Sequence, residues 1–423
     1  MAQPHIPEGV AAWRRRWRGT RPRGAGRLRR SAAVGTAFTA FMGMALIAGP
    51  MKSVAVSMPC ALPRTDAHHS LGLDTWNASY PRPDGTLDAA LLFLSFPDAT
   101  PMATPEELAA DHFPATTDFF RRASYGKFRL RPHVVRRWIE MPAVSRAYRI
   151  RRDWDSGLRT AYMRDAVAAA DRFVDFGRYD LVYLIADPDA PGVDSDATKV
   201  VNFEEPIAVD GTRLRRLVTV FEQSPPDRHV LAHETGHVFD LPDLYKRPSG
   251  EGADWDTRVG DWDLMGSQFG LAPEPFGWHK WKLGWLGAAG VRCVPEGLGT
   301  TLHTLRTLTA PPGPGARLAV LRTGRHEAIA IEARDRTGND RELCRSGVLL
   351  YRVRGDIAST GGPVEVLDGH PRSAACAGTS AHPPLADAPL GVGESLVVAD
   401  AALRVEVTGR SAAGDWDVKI TRG

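Results

Sequence analysis

The sequence predicts a mixed α/β domain followed by a β-rich one, on three observations. Apolar, strand-like runs alternate with helical segments over roughly the first half of the chain. That half closes on a stretch with two histidines at helical spacing, His233-Glu234-Thr235-Gly236-His237. From about Ala288 the texture changes to short strand-like runs separated by Gly- and Pro-rich connections.

The elements follow in order. Residues 89–96 read as a buried strand, and Thr104-Pro105-Glu106-Glu107 has the composition of a capped helix start, with the helix reaching residue 122. Residues 127–135 and 180–185 read as strands, with a helical pattern over 157–176 between them, and 200–220 suit a sheet or hairpin. Trp278, Trp281 and Trp285 recur at helical spacing, which marks a core-facing aromatic stripe. Later runs at 318–321, 328–332, 348–353, 395–398, 403–407 and 416–420 predict a β-sandwich-like C-terminal region. The expected organisation is a leader over 1–57, a catalytic domain over 58–287 and a β-rich domain over 288–423.

Ser224-Pro225-Pro226-Asp227 carries helix-start signals, so the spacing predicts a helix from Ser224 to about Phe239. His233 and His237 then lie one turn apart on one face, where both imidazoles can reach one metal ion. Glu234 lies about 100° round the helix, beside such an ion, where a general base belongs. A third ligand must come from beyond the helix. Asp tolerates a left-handed turn, so the chain can reverse at Asp240, and Leu241-Pro242 then directs Asp243 back. Asp243 is the better placed candidate and Asp240 the alternative; Glu251 and Glu274 sit in Gly- and Pro-containing surroundings. His229 reads as a packing residue or as one that supports a ligand from behind. Met265, in a turn before Gly266, is the candidate floor of the site.

His233-Glu234-Thr235-Gly236-His237, Leu241-Pro242-Asp243-Leu244-Tyr245 and Trp262-Asp263-Leu264-Met265 together resemble the signature of the immune inhibitor A family of secreted bacterial metallopeptidases. Ser124-Tyr125-Gly126-Lys127, Tyr179-Asp180-Leu181-Val182 and the segment from Cys344 to Val353 resemble further parts of that family. The resemblance implies a metzincin-like zinc peptidase domain and endopeptidase activity on protein or peptide substrates. In it Zn2+ is held by His233, His237 and Asp243, Glu234 is the base, and structural Ca2+ is often present. Asp240 stands where the family usually has Gly, so the third ligand stays open between Asp243 and Asp240. The rival readings are an exported binding protein that keeps the fold without turnover, and a zinc aminopeptidase.

The net charge of +3 conceals an asymmetry, because residues 1–57 alone carry +9 and the remainder −6. A mildly acidic mature chain gives no reason to invoke nucleic acid. The basic start, the apolar run over 32–49 and the small residues near Ser57 have the layout of a secretory signal. The expectation is therefore a secreted monomer off the membrane, with anchoring through 32–49 as the alternative. Four cysteines in an exported chain predict two disulfides, and proximity pairs Cys344 with Cys376 and Cys60 with Cys293. A second reading makes Cys60 a latency thiol that occupies the metal. Two acidic loops, Asp187-Pro188-Asp189 with Asp194-Ser195-Asp196, and Asp254, Asp256 and Asp261, are candidates for calcium, though neither has EF-hand spacing.

Overall fold

Strand β1 (Gly85–Ser95) explains the first half of the chain. Its side chains alternate between two apolar cores: Ala89, Leu91 and Phe93 enter one, Ala90, Leu92 and Leu94 the other. A strand buried on both faces needs cover on both sides. The computed structural model, which describes residues 58–223, 225–227, 229–247 and 254–423, supplies it. Strand β1 pairs in parallel with β2 (Phe128–Glu140) and β3 (Leu181–Ala186), and β3 in parallel with β5 (Thr212–Val220). The antiparallel β4 (Lys199–Val209) completes the order β2-β1-β3-β5-β4 and forms one edge.

Helix α3 (Ser156–Ala170) covers one face with Tyr162, Met163, Ala166 and Val167. The other face receives α1 (Pro105–His112), α2 (Ala115–Ala123) and the histidine-bearing α4 (Val230–Val238). Thr104 and Glu107 form the expected capping box. The single helix expected over 104–122 is two, broken at Phe113-Pro114. A proline has no N–H to continue the hydrogen-bond ladder.

Helix α4 is also shorter than the start signals predicted. His229 takes a left-handed backbone, φ 61°, so helical geometry begins only at Val230. The prolines before it lie outside the helix, and Ser224, the expected cap, lies outside the described residues, as do the leader and Glu251. The tryptophan helix α5 (Gly277–Lys282) is six residues long and ends before Gly284 at φ 78°. Trp278 and Trp285 nevertheless enter the core, with Trp281 partly buried against it.

The second half forms two sheets. One has the order β11-β10-β9-β8-β6, built from β6 (Val291–Cys293), β8 (Leu318–Arg322), β9 (Glu327–Arg334), β10 (Gly347–Arg354) and β11 (Val364–Leu367). The other has the order β12-β13-β14-β7, from β7 (Gly299–Leu305), β12 (Ser395–Val398), β13 (Leu403–Arg410) and β14 (Trp416–Arg422). Strands β6, β7 and β11 were not foreseen. In β9, Ala328 and Ala330 face the core that also holds α4, whereas Ile329, Ile331 and Ala333 face the last sheet. The middle sheet is thus shared, and the described residues belong to one compact unit. Disulfides join Cys60 to Cys293 and Cys344 to Cys376, as proximity predicted. Among the described residues no helix is long and apolar enough to cross a membrane.

Candidate metal centre

Helix α4 presents both histidines to one point. His233 Nε2 lies 3.2 Å and His237 Nε2 3.1 Å from the same oxygen, Oδ1 of Asp243. The opposite ring nitrogens are engaged: His233 Nδ1 donates to the Leu264 carbonyl at 2.9 Å and His237 Nδ1 to the Leu241 carbonyl at 2.8 Å. An imidazole that donates from Nδ1 offers a lone pair at Nε2, the tautomer a metal ligand needs.

Asp243 reaches the site through a reversal at Asp240, which adopts φ 63°, with Leu241 N–H donating to the Gly236 carbonyl at 3.1 Å. Asp240 itself turns away. Its carboxylate meets Arg64 at 2.8 Å, His69 at 3.0 Å and Lys282 at 3.2 Å. Burial would raise its pKa, but His69, Lys282 and Arg64 prevail and hold it below the usual carboxylate range. The alternative third ligand is therefore occupied elsewhere. Glu274 is also remote, buried with Lys280 and accepting from Asn339 at 2.6 Å.

The donor set fits a metal ion. Two imidazole lone pairs and a carboxylate oxygen converge, all within 4.8 Å of one another, and Asp243 Oδ1 is buried without a hydrogen-bond partner. Three acceptors brought together out of water repel one another unless a proton or cation lies between them. The proton's hold is visible in His237: burial disfavours its imidazolium, yet Asp243 outweighs burial and raises the pKa to about 9.

Glu234 stands beside this point. Its Oε2 accepts the Val200 N–H of edge strand β4 at 2.9 Å, and burial raises its pKa although His237 and His233 oppose the rise. Beneath the helix lies Met265. A Cβ on Gly236 would sit 2.5 Å from the Met265 sulfur, so the glycine lets this side chain pack directly under the helix. Met265 also receives Leu244 N–H at its carbonyl, which ties the floor to the ligand-bearing turn. A cleft of about 610 Å³ opens in front, lined among others by Lys199, Val200, Tyr245, Trp255 and Phe269.

No family model and no curated protein matches the chain.

Several residues here escaped sequence reasoning. Asp263 is fully buried and accepts from Met265 N–H at 2.7 Å, Phe276 N–H at 2.6 Å and His279 Nδ1 at 2.9 Å, so it shapes the turn that carries the floor. Its place inside Trp-Asp-Leu-Met was the available signal. Tyr245 borders Asp243, and burial together with that carboxylate raises its pKa. His229 packs its ring 5.5 Å from Phe119. Cys60 cannot act as a latency thiol, because it is bonded to Cys293 and no described cysteine is free.

In the acidic loops one carboxylate oxygen of each leading residue closes a turn, while Asp187 Oδ2 is buried without a hydrogen-bond partner. Asp187 accepts from Asp189 N–H at 3.1 Å, Asp194 from Asp196 N–H at 3.0 Å and Asp254 from Asp256 N–H at 2.8 Å. Among the described residues, no second group of three His, Cys, Asp or Glu side chains brings its ligand atoms as close as the first.

Proposed function

We propose that the protein is an exported zinc-dependent endopeptidase with a metzincin-like catalytic half. The observation that carries this reading is the convergence of His233 Nε2, His237 Nε2 and the orphaned Asp243 Oδ1, with Glu234 on the adjoining helical position. Two nitrogens and one oxygen suit zinc, whereas calcium takes six to eight oxygens. Three protein ligands leave a coordination position free, as catalytic zinc sites do.

Bound there, zinc would supply a Lewis acid that polarises a scissile carbonyl and brings water within reach of deprotonation near neutral pH. The chain's own groups do the rest. Glu234, with its affinity for protons raised by burial, takes the proton from water and returns it to the departing amine. Edge strand β4 borders the cleft at Lys199 and Val200, and apart from the Val200 N–H, which Glu234 holds, its unpaired side can hydrogen-bond an extended substrate backbone. Strand pairing of that kind recognises backbone on both sides of a bond, which favours internal cleavage. Two disulfides and the leader's composition support export to an oxidising compartment.

The test is casein hydrolysis. A chelator should abolish it and added zinc restore it, while Glu234→Ala keeps its metal and loses about 10²–10⁴-fold in rate. Undiminished turnover by the metal-loaded variant would remove Glu234 from the role.

A further inference from the structure

The third ligand is held by a part of the chain far from the motif. Between β10 and β11 a loop reaches back to the metal-site turn, and Ser359 lies at its tip. The Ser359 hydroxyl donates to Asp243 Oδ2 at 3.0 Å and accepts the Asp243 backbone N–H at 2.9 Å. One hydroxyl thus fixes both the main chain and the carboxylate of a single residue, 116 positions earlier in sequence.

The loop is itself fastened. Thr360 N–H donates to the Asp243 carbonyl at 3.2 Å, Arg247 N–H to the Thr360 carbonyl at 2.9 Å, and Lys246 bridges Gly361 in antiparallel fashion. On its other side Ser359 N–H donates to the His68 carbonyl at 3.1 Å. Thr360 holds a left-handed backbone, φ 66°, a conformation kept only where surrounding contacts impose it.

We propose that Ser359 is a positioning residue for the metal, contributed by the β-rich half. By taking Oδ2 it fixes the rotamer that aims Oδ1 at the two imidazoles and makes the carboxylate a one-oxygen ligand. Hydrogen bonds to a ligating carboxylate govern affinity in this way, and losing one commonly costs 10–100-fold. The inference rests on the metal reading of the site and adds that a residue outside the catalytic half completes it.

The experiment titrates zinc against a chromophoric chelator with the full chain, comparing wild type, Ser359→Ala and Ser359→Thr, and records thermal unfolding of each metal-free protein. Ser359→Ala should weaken zinc about 10–100-fold. Ser359→Thr, which keeps the hydroxyl, should restore most of that affinity, and the metal-free melting temperatures should stay close together. Wild-type affinity in Ser359→Ala overturns the inference and leaves the metal reading intact. So does equal weakening in the alanine and threonine variants, which would point to packing instead of the hydroxyl. Absence of zinc binding by the wild type would overturn both.

Discussion

The two sides of the cleft keep their shape by different means. On the sheet side, β1, β3 and β5 bury alternating apolar side chains on both faces, and the helices add more of the same. On the loop side, residues 239–285 carry, where described, one six-residue helix. That side is held by buried polar groups: Asp240 by Arg64, His69 and Lys282, and Asp263 by two backbone amides and His279. Arg334 of β9 joins Glu332 and Asp340 and donates to the Trp262 and Glu274 carbonyls. Each side is therefore fragile in its own way. An apolar wall fails by losing volume, whereas a polar one fails by losing a single partner.

The largest expected effect comes from breaking the loop side. Arg334→Met leaves Glu332 and Asp340 as buried carboxylates without their cation and should cost about 3–5 kcal/mol in urea unfolding. A loss below about 1 kcal/mol would mean that the polar brace is dispensable. Next, Gly236→Ala sets a methyl against Met265. It should cost about 1–3 kcal/mol, since the buried Met265 side chain must leave its place; a cost-free alanine would show that this side chain yields freely.

Asp240→Asn removes the charge that three neighbours share and should cost about 1–3 kcal/mol at neutral pH. The same network sets an acid limit. In the metal-free chain burial lowers the His69 pKa to about 4 from an ordinary 6.5. The unfolded chain therefore binds the proton first, and stability should fall as pH drops from 6.5 towards 4. Asp240, held below its ordinary 3.8, stays charged in the fold after the unfolded chain is protonated, so the loss continues below that pH. Asp240→Asn should lack this second phase, and an unchanged acid profile would place the sensitivity elsewhere. The smallest effect belongs to the sheet side: Leu92→Met, which nearly conserves volume, should cost less than about 1.5 kcal/mol and leave zinc affinity alone.

The same contrast decided what could be read from sequence. The runs that became β1, β3, β9 and β10 were legible because burial on two faces demands unbroken apolar stretches. His233, Glu234 and His237 were legible because helical spacing is local, and the reversal at Asp240 followed from the tolerance of Asp for positive φ. Pro114 inside the expected helix was a readable break that composition alone concealed. The early start proposed for α4 failed because the backbone at His229 overrides the cap signals before it. Strand β7, with Leu302 between two threonines on its exposed face and Thr301 and His303 beside Leu305 on the other, carries too little apolar contrast to stand out. Arg64, which meets Asp240 from 176 residues away, and Ser359, 116 residues from Asp243, had no signal at all. Polar partners across such distances are chosen by the fold, and no periodicity records them.

We propose that two imidazoles and Asp243 hold one zinc ion. Elemental analysis of the purified chain tests it most directly, run beside His233→Ala and Asp243→Ala. Close to one zinc per wild-type chain and little in either variant is the predicted result. A wild type without metal, or variants that retain it in full, would contradict the claim.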